Sequence, residues 1–361
     1  MYSSTTIFLM MCIPFIFVVC AIPFVKKIAH HVGALDIPDA RKVHKVPMPR
    51  LGGLGIYGGF LLGYMIFGEH TSIMNSILIG SFILIITGMI DDIKPLNPKA
   101  KFLGQTIAAI IVVAYGGLLL QDISFFGIYM NFGIFAYLIT VLFILGCINC
   151  MNLIDGLDGL AGGISSIFFL TIGIIASFQG RYGLSVVLTF IMLGSTMGFL
   201  IHNFNPATIF MGDSGSMFLG FIMSVITLLG FKTLITSSII IPLFILIVPI
   251  LDTLCAIIRR KLKGESIDTP DKCHFHHQFL KRNMSVRTTV LIIYLITALF
   301  SAASVVWLLV SQKIGYIIYG ALTFGLIIFV FKTDILFEHN KKVVEEKPKK
   351  ETTKKKPAKK K

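Results

Sequence analysis

The sequence carries little charge for its length. Of its 361 residues, 14% are Asp, Glu, Lys or Arg, 55% are hydrophobic, and the mean hydropathy is +0.85. A soluble globular protein would have about 25% charged residues, so this class is excluded. The sequence therefore predicts a polytopic membrane protein.

Basic residues are absent before the first apolar run, and Lys26 and Lys27 follow that run. This order excludes a cleavable signal peptide and predicts a first membrane span whose N-terminus lies outside. The six cysteines are scattered, mostly within apolar runs, so no disulfide framework is indicated. Cys147 and Cys150 are interpreted as small buried hydrophobic residues.

Aromatic residues are missing from the segment Lys341 to Lys361, which is rich in lysine, proline and glutamate. This composition is typical of a disordered, solvated tail. Because no side chain in the tail could stack on a base, nucleic-acid binding is not favoured. Contact with anionic lipid fits the charge better.

Apolar runs long enough to cross a bilayer recur along the chain. They lie at about 4–25, 51–67, 75–90, 102–119, 134–150, 160–178, 183–201, 215–231, 236–257, 288–310 and 314–332. If the chain alternates sides from an outside N-terminus, 29 of its 32 Lys and Arg fall on the inside, as the positive-inside rule expects. We therefore predict an all-α membrane helix bundle of about 11 spans at residues 1–332, and a Lys-rich, disordered cytoplasmic tail at 333–361.

The most costly polar residues lie in the stretch Asn149 to Gly163, at the end of an apolar run. Two amides and two carboxylates recur there at every third position: Asn149, Asn152, Asp155 and Asp158. One face of a helix cannot hold all four, but Gly156 and Gly159 let the backbone leave the helix. We predict a helix that ends near Asp155 and a loop that curls Asp158 back. Such oxygen groups suit Mg²⁺ or the edge of a nucleobase, and a helix cap is the alternative.

Further carboxylates follow other apolar runs. Asp91 and Asp92 are adjacent, which suits a divalent metal or proton abstraction, although an aspartate-proline turn that ends the helix is the alternative. Asp213 precedes Ser-Gly-Ser and a new apolar run, which predicts a helix N-cap with free N–H groups for an anion. The glycines from Gly52 onward indicate close helix packing instead of a phosphate cradle.

Three histidines lie within four residues, at His274, His276 and His277. Beside cations such a group can hold a diphosphate, and with Cys273 it could instead bind zinc. Asp252 is expected to be a buried polar partner. The alternation of spans places all these groups at one inner face, where carboxylates for Mg²⁺ with flanking cations are suited to transfer of a phosphoryl-linked group.

Four polar motifs occur in order along the inside loops. They are Asp91-Asp92, Asn149-x-x-Asn152-x-x-Asp155-Gly-Leu-Asp158-Gly-Leu, Asn205-Pro-Ala-x-x-Phe-Met-Gly-Asp213-Ser-Gly-Ser and Pro270-Asp-Lys-x-His274-x-His276-His277. This set, with Arg41-Lys42-Val-His44, resembles the signature of the polyprenyl-phosphate N-acetylhexosamine-1-phosphate transferases. The histidine motif is similar to that of the branch that uses UDP-GlcNAc to start teichoic acid or O-antigen linkage.

The resemblance implies that undecaprenyl phosphate attacks the sugar-bearing phosphorus of UDP-GlcNAc and releases UMP. It implies a Mg²⁺ cofactor, with Mn²⁺ as the alternative, held by Asp213, Asn152 and Asp155, the last being divided between metal and substrate. Asp92 would be the base and would act with Asp91 on the lipid phosphate, and Asp158 would lie near the uracil. The other implied substrate-binding residues are Asn149, Lys42, His44, Asn205, Arg259, His274, His276 and His277.

The resemblance also implies a transferase domain at 1–332 in the bacterial plasma (inner) membrane, with its active site on the cytoplasmic face. The implied partners are undecaprenyl phosphate, UDP-GlcNAc and the lipid bilayer, without nucleic acid, and a homodimer is compatible with them. Two alternatives stay open: a related transferase using another UDP-hexosamine such as UDP-MurNAc-pentapeptide, and a divalent-metal or proton-coupled transporter. Transporters place polar residues near the midplane in repeated halves, whereas this sequence keeps them in inside loops and shows no internal repeat.

Overall fold

The structure, a computed structural model, describes residues 2–38, 46–125, 128–231, 239–265 and 273–336. This part of the chain is mostly helical. Its helices are α1 (Ser4–Val32), α2 (Gly52–Phe67), α3 (Ser72–Ile93), α4 (Pro98–Ile110), α5 (Ala136–Ile154), α6 (Leu160–Phe178), α7 (Leu184–Asn203), α8 (Gly212–Phe231), α9 (Ile240–Ile245), α10 (Ile247–Lys263), α11 (Phe275–Lys281), α12 (Val286–Leu309) and α13 (Gln312–Lys332).

Eight apolar helices of the described residues are long enough to cross a membrane, so the chain is a multi-pass membrane helix bundle. They are Ser4–Val32, Ser72–Ile93, Gly133–Ile154, Leu160–Phe178, Leu184–Asn203, Gly212–Gly230, Val286–Leu309 and Gln312–Lys332. The apolar helix α2 is shorter. The bundle prediction is confirmed, while the count of about 11 spans stays a prediction.

Two of the predicted spans do not form single long helices, because each is divided between two helical segments. The run 102–119 forms α4 and a π-helical turn, Ile111–Tyr115, and the 13 residues of α4 reach only about 20 Å. The run 236–257 is divided at Leu246 between α9 and α10. Helix α10 ends in the basic residues Arg260, Lys261 and Lys263.

The bundle is not purely α-helical as predicted. Strand β1 (Leu35–Asp36) pairs with β2 (Met48–Pro49), and β3 (Asp122–Phe125) pairs with β4 (Ile128–Asn131), both in antiparallel fashion. The first pair has a role in the site, because Phe210 donates its N–H to the Pro49 carbonyl at 2.8 Å. This hydrogen bond fixes the segment before α8 beside the start of α2.

Helix α8 lies at the centre of the bundle, and nearly all of its residues are buried. Close backbone contacts make this possible. A Cβ atom on Gly53 would lie 2.2 Å from the Gly215 nitrogen, and one on Gly88 would lie 2.3 Å from the Ser214 Cα. The predicted packing role of the glycines near Gly52 is confirmed, and α2 and α3 both approach the first turn of α8.

The folded bundle extends past residue 332, where the tail was predicted to begin. Ile335 is fully buried, and the Arg259 guanidinium donates a hydrogen bond to its carbonyl. Residues 333–336 therefore continue the described bundle, and the division between domain and tail stays a prediction. The remainder, 337–361, lies outside the described residues.

Candidate active site

The start of α8 is held by a carboxylate from another helix. Asp92, in the last turn of α3, accepts hydrogen bonds from the Asp213 N–H at 2.8 Å, the Ser214 N–H at 3.2 Å and the Ser214 hydroxyl at 2.8 Å. These N–H groups have no partner within the helix, so Asp92 supplies the cap. The prediction that Asp213 is the N-cap was wrong, because α8 already begins at Gly212.

Asp213 is paired with two cations. Its Oδ1 lies 3.5 Å from Arg50 Nη2, and its Oδ2 accepts a hydrogen bond from Lys101 Nζ. Lys101 Nζ also lies 3.3 Å from Asp91 Oδ2, and Arg50 Nη2 lies 3.3 Å from Asp92 Oδ1. We call Asp91, Asp92, Asp213, Arg50 and Lys101 the acidic centre. Among the described residues, two cations balance three carboxylates there, which favours a further positive charge.

Arg50 is fixed at this position by the backbone around it. Its N–H donates to the Ala34 carbonyl at 3.0 Å, and a Cβ atom on Gly212 would lie 2.2 Å from the Arg50 carbonyl oxygen. Burial tends to lower the pKa of Arg50, but the carboxylates of Asp92, Asp213 and Asp36 outweigh it and raise the pKa. Arg50 is therefore a permanent cation.

The α5–α6 turn, residues 155–159, ends helix α5 as predicted. Helix α5 ends at Ile154, Gly159 adopts a left-handed conformation (φ +80°), and Asp158 turns toward the segment after α7. Its Oδ2 accepts hydrogen bonds from Asn205 Nδ2 at 2.9 Å and the Ala207 N–H at 3.0 Å. Because these donors are neutral, the Asp158 charge is stabilised without a cation and its Oδ1 is left for another group.

Asp155 begins this turn in a half-buried position. Burial raises the pKa of its carboxyl to about 7, and the negative charge of Asp213 adds to the rise. A cation that came between the two carboxylates would lower this pKa again, so that Asp155 would lose its proton to solvent.

The turn is held from two further helices. The Gly159 N–H donates to Asn203 Oδ1 at 3.0 Å, and the Tyr294 hydroxyl of α12 donates to the Gly159 carbonyl. A Cβ atom on Gly163 would lie 1.9 Å from the Tyr294 ring, so only glycine admits this ring. Tyr294 thus depends on Gly163 and in turn fixes the Gly159 peptide.

The histidines pack on the same turn. Asp252 is fully buried and pairs with His274 Nδ1 at 2.9 Å and with the Phe275 N–H at 2.8 Å, which confirms the prediction of a buried polar partner. The His276 ring lies so close to Gly156 that a Cβ atom there would be 2.7 Å from it. Burial and then the adjacent imidazoles lower the pKa of His276 well below its usual range, so its ring is neutral.

These elements enclose one cavity of about 540 Å³, a size suited to a nucleotide-like ligand. Polar and charged residues from five parts of the chain line it: Asp36, Arg50, Asn152, Asp155, Asp158, Asn203, Asn205, Asp213 and His277. Four are carboxylates, and one is a permanent cation. The cavity therefore attracts positive charge.

The chemistry of these side chains fits a hard divalent cation. Asn152, Asp155 and Asp213 line the same cavity and offer oxygen ligands, which Mg²⁺ prefers together with phosphate and water oxygens. Asn152 Nδ2 donates to the Ser216 hydroxyl at 2.9 Å, so the amide oxygen is the free end. Within the described ranges, no group of three or more His, Cys, Asp or Glu is arranged as a complete metal site.

Comparison with known proteins agrees with this site. The model of glycosyl transferase family 4 matches residues 74–231, which include most of α3 and all of α5 and α8. A probable undecaprenyl-phosphate N-acetylglucosaminyl 1-phosphate transferase of Bacillus subtilis is 44% identical over 291 residues, 79% of this chain and 80% of the relative. The chain belongs to glycosyl transferase family 4.

Other members of the family agree. A decaprenyl-phosphate N-acetylglucosaminephosphotransferase of Mycobacterium tuberculosis is 31% identical over 78% of each chain. An undecaprenyl-phosphate alpha-N-acetylglucosaminyl 1-phosphate transferase of Escherichia coli K12 is 30% identical over 81% of each chain. The resemblance seen in the motifs is confirmed, and this chain is a membrane enzyme of the transferase class.

Several residues that the family resemblance assigns to the site lie away from the cavity. Asn149 Nδ2 donates to Gln105 Oε1 at 2.9 Å and to the Leu145 carbonyl at 2.8 Å, so its amide joins α4 to α5. Arg259 is 3% exposed and is not among the described residues that line the cavity. His274 and His276 are buried and are not among the described residues that line the cavity, whereas His277 is. Lys42 and His44 lie outside the described residues, and the substrate-binding roles of all these residues stay predictions.

The structure adds residues that the sequence reasoning missed. Arg50 and Lys101 balance the acidic centre, Asn203 and Tyr294 fix the α5–α6 turn, and Ser216 receives the Asn152 amide. Arg50 and Lys101 carried a weak signal, since Arg50 lies two residues before Gly52 and Lys101 lies nine residues after Asp92. Basic residues on the inner side are expected from topology alone, so that signal was not distinctive.

Proposed function

We propose that this protein transfers GlcNAc-1-phosphate from UDP-GlcNAc to undecaprenyl phosphate, giving undecaprenyl-diphosphate-GlcNAc and UMP. An oxygen of the lipid phosphate forms a bond to the sugar-bearing phosphorus. The bond from that phosphorus to the oxygen of the UMP phosphate breaks, and its electron pair leaves with UMP. This would be the first membrane step of a cell-envelope glycopolymer such as teichoic acid or O-antigen.

The observation that carries the proposal is the cavity of about 540 Å³ shared by Asn152, Asp155, Asp158 and Asp213. A nucleotide diphosphate needs positive charge near its phosphates and polar groups near its base, and residues of both kinds line the cavity. Arg50 is paired with Asp213, while Asp158 of the α5–α6 turn accepts a hydrogen bond from the neutral amide of Asn205. The relatives' names agree with this substrate class.

In this proposal, the residues of the site have separate roles in binding or catalysis. Asn152, Asp155 and Asp213 would hold Mg²⁺, which when bound neutralises the charge of the diphosphate. Asp158 would accept a hydrogen bond from the uracil, and His277 would face the phosphates or the sugar. Asp92 would take a proton from the lipid phosphate, for which one of its present hydrogen bonds to α8 must be released.

The finer arrangement in the membrane belongs to the same proposal. The C-terminal ends of α3, α5 and α7 meet the N-terminal ends of α2, α4, α6 and α8 at the acidic centre and the α5–α6 turn. With about 11 spans, an outside N-terminus and a cytoplasmic C-terminus, this end would lie on the cytoplasmic face of the bacterial inner membrane. A homodimer is compatible with this arrangement.

The test is a reconstituted reaction. Purified full-length protein is incubated with undecaprenyl phosphate and each of a panel of UDP-sugars, while UMP and the lipid product are measured. We expect UMP release that requires both UDP-GlcNAc and the lipid, stops in EDTA and returns with Mg²⁺ or Mn²⁺. Turnover with UDP-MurNAc-pentapeptide instead would identify a sister transferase. Absence of UMP with every sugar would contradict the proposal.

A further inference from the structure

Asp213 lies between two cations that come from different directions. Its Oδ1 faces Arg50, which precedes α2, and its Oδ2 faces Lys101, which lies in the first half of α4. Each cation also contacts a second carboxylate: Arg50 contacts Asp92, and Lys101 contacts Asp91. The two sides of this carboxylate therefore have separate counter-ions, although one cation would be enough to balance one charge.

The Arg50 side of Asp213 faces the cavity. Among the described residues that line the cavity, Arg50 is the only Arg or Lys, and its side chain is 27% exposed. Its ion pairs are long, at 3.3 Å to Asp92, 3.5 Å to Asp213 and 3.7 Å to Asp36. Since a guanidinium has five donors in a planar fork, it can bind phosphate oxygens and keep some of these pairs.

The Lys101 side of Asp213 faces a different part of the molecule. Lys101, Asp91 and Asp92 are not among the described residues that line the cavity. The next residues of α4, Phe102 and Leu103, are 52% and 60% exposed, as are apolar residues that face lipid. Lys101 therefore lies where an apolar, outward-facing helix surface meets the acidic centre, and a lipid-borne phosphate would approach it from there.

We propose that Asp213 separates two phosphate sites, in which Arg50 binds the diphosphate of the nucleotide sugar and Lys101 binds the phosphate of the lipid acceptor. This inference rests on the proposed function and assigns one cation to each substrate. The two sites would lie on either side of one carboxylate, and in-line attack would require the lipid phosphate to reach the sugar-bearing phosphorus from the side away from UMP.

The alternative is that both lysine and arginine merely neutralise the carboxylates. In that case removal of either cation would weaken the whole acidic centre, and the KM values of both substrates would change together. The two readings therefore differ in a KM pattern that loss of stability alone cannot produce.

The experiment compares Arg50→Gln and Lys101→Gln in the full-length purified enzyme. We expect Arg50→Gln to raise the KM of UDP-GlcNAc by about tenfold or more, with the KM of undecaprenyl phosphate within about twofold. Lys101→Gln should show the reverse. Arg181→Gln is the matched control, because Arg181 is an arginine bonded to the Gly230 carbonyl at the other end of α8. It should leave both KM values unchanged.

A second measurement does not require turnover. Binding of UDP in EDTA, followed by calorimetry, should weaken by about tenfold in Arg50→Gln and remain unchanged in Lys101→Gln. If either variant fails to fold, Arg50→Lys and Lys101→Arg should show smaller changes in the same directions. Equal changes in both KM values, or equal loss of UDP affinity in both variants, would overturn the two-site assignment. Failure of the proposed function would instead appear as an inactive wild type.

Discussion

The acidic centre and the α5–α6 turn stabilise carboxylates in opposite ways. In the acidic centre, Asp213 is held by the charges of Arg50 and Lys101. In the turn, Asp158 is held by the neutral donors of Asn205 and Ala207. Ion pairs can be exchanged for a metal or a phosphate at little cost, whereas a network of neutral hydrogen bonds fixes one shape. The acidic centre is therefore suited to binding a metal or a phosphate, and the turn is suited to recognising the shape of a ligand.

Loss of Asp213 should have the largest effect and tests the role of the acidic centre most directly. Asp213→Ala removes the group to which both cations and the proposed metal are directed, so we expect turnover to fall by about a thousandfold or more. The rate of UMP release in membranes measures this. Asp122→Ala is the control, since Asp122 contacts Tyr129 in the β3–β4 hairpin. Retained Mg²⁺-dependent turnover in Asp213→Ala would remove the metal assignment.

Asp92 tests whether the acidic centre also has a structural role. Asp92→Asn leaves one acceptor oxygen for three donors of α8, so we expect turnover to fall by about a hundredfold and stability by about 1–2 kcal/mol. Rate and melting temperature should be measured on one sample. A fall in rate alone would leave Asp92 purely a base, and near-normal turnover would exclude that role.

Tyr294 tests the rigidity of the turn. Tyr294→Phe removes the hydrogen bond to the Gly159 carbonyl, and we expect the KM of UDP-GlcNAc to rise about five- to tenfold with little change in the KM of the lipid. Tyr319→Phe is a matched control, because its hydroxyl donates to Ser304 at 2.7 Å away from the site. If both variants behaved alike, the turn would not depend on Tyr294.

Substitution of Asp155 should have a smaller effect, a pH-dependent rise in the melting temperature. Its pKa of about 7 lies above the usual value of 3.8, so the folded metal-free protein binds this proton more tightly than the unfolded chain. The contribution to stability is full below pH 4 and is lost as the pH rises through 7. In EDTA, Asp155→Asn should therefore raise the melting temperature by a few degrees at pH 8 relative to wild type, and less at pH 5. An effect that does not change with pH would contradict this.

The tail should give the smallest effect. Removal of Lys341 to Lys361 deletes residues beyond Leu336, where the described bundle ends, so we expect turnover within about twofold of wild type. Initial rates in properly inserted protein provide the measurement. A collapse of activity would show that the tail contributes directly.

Local chemistry explains why parts of this arrangement could be predicted. Gly156 and Gly159 predicted the end of helix α5 near Asp155, and the apolar runs predicted the helices of the bundle. The cap of α8 could not be predicted, because Asp92 and Asp213 are 121 residues apart and the contact depends on how α3 packs. Arg50 was missed for a different reason, since topology already explained a basic residue there. The ion pairs of Asp213 with both Arg50 and Lys101 could not be predicted either, because they depend on how distant segments pack.

The burial of α8 has a consequence for biogenesis. Among the eight apolar helices of membrane-spanning length in the described residues, α8 is the least apolar, and most of its surface meets neighbouring helices in place of lipid acyl chains. A translocating chain would therefore gain little by releasing α8 sideways into the bilayer on its own. We expect α8 to enter only when α2, α3 and α5 are already in place to contact it, so that the acidic centre would be completed late in synthesis.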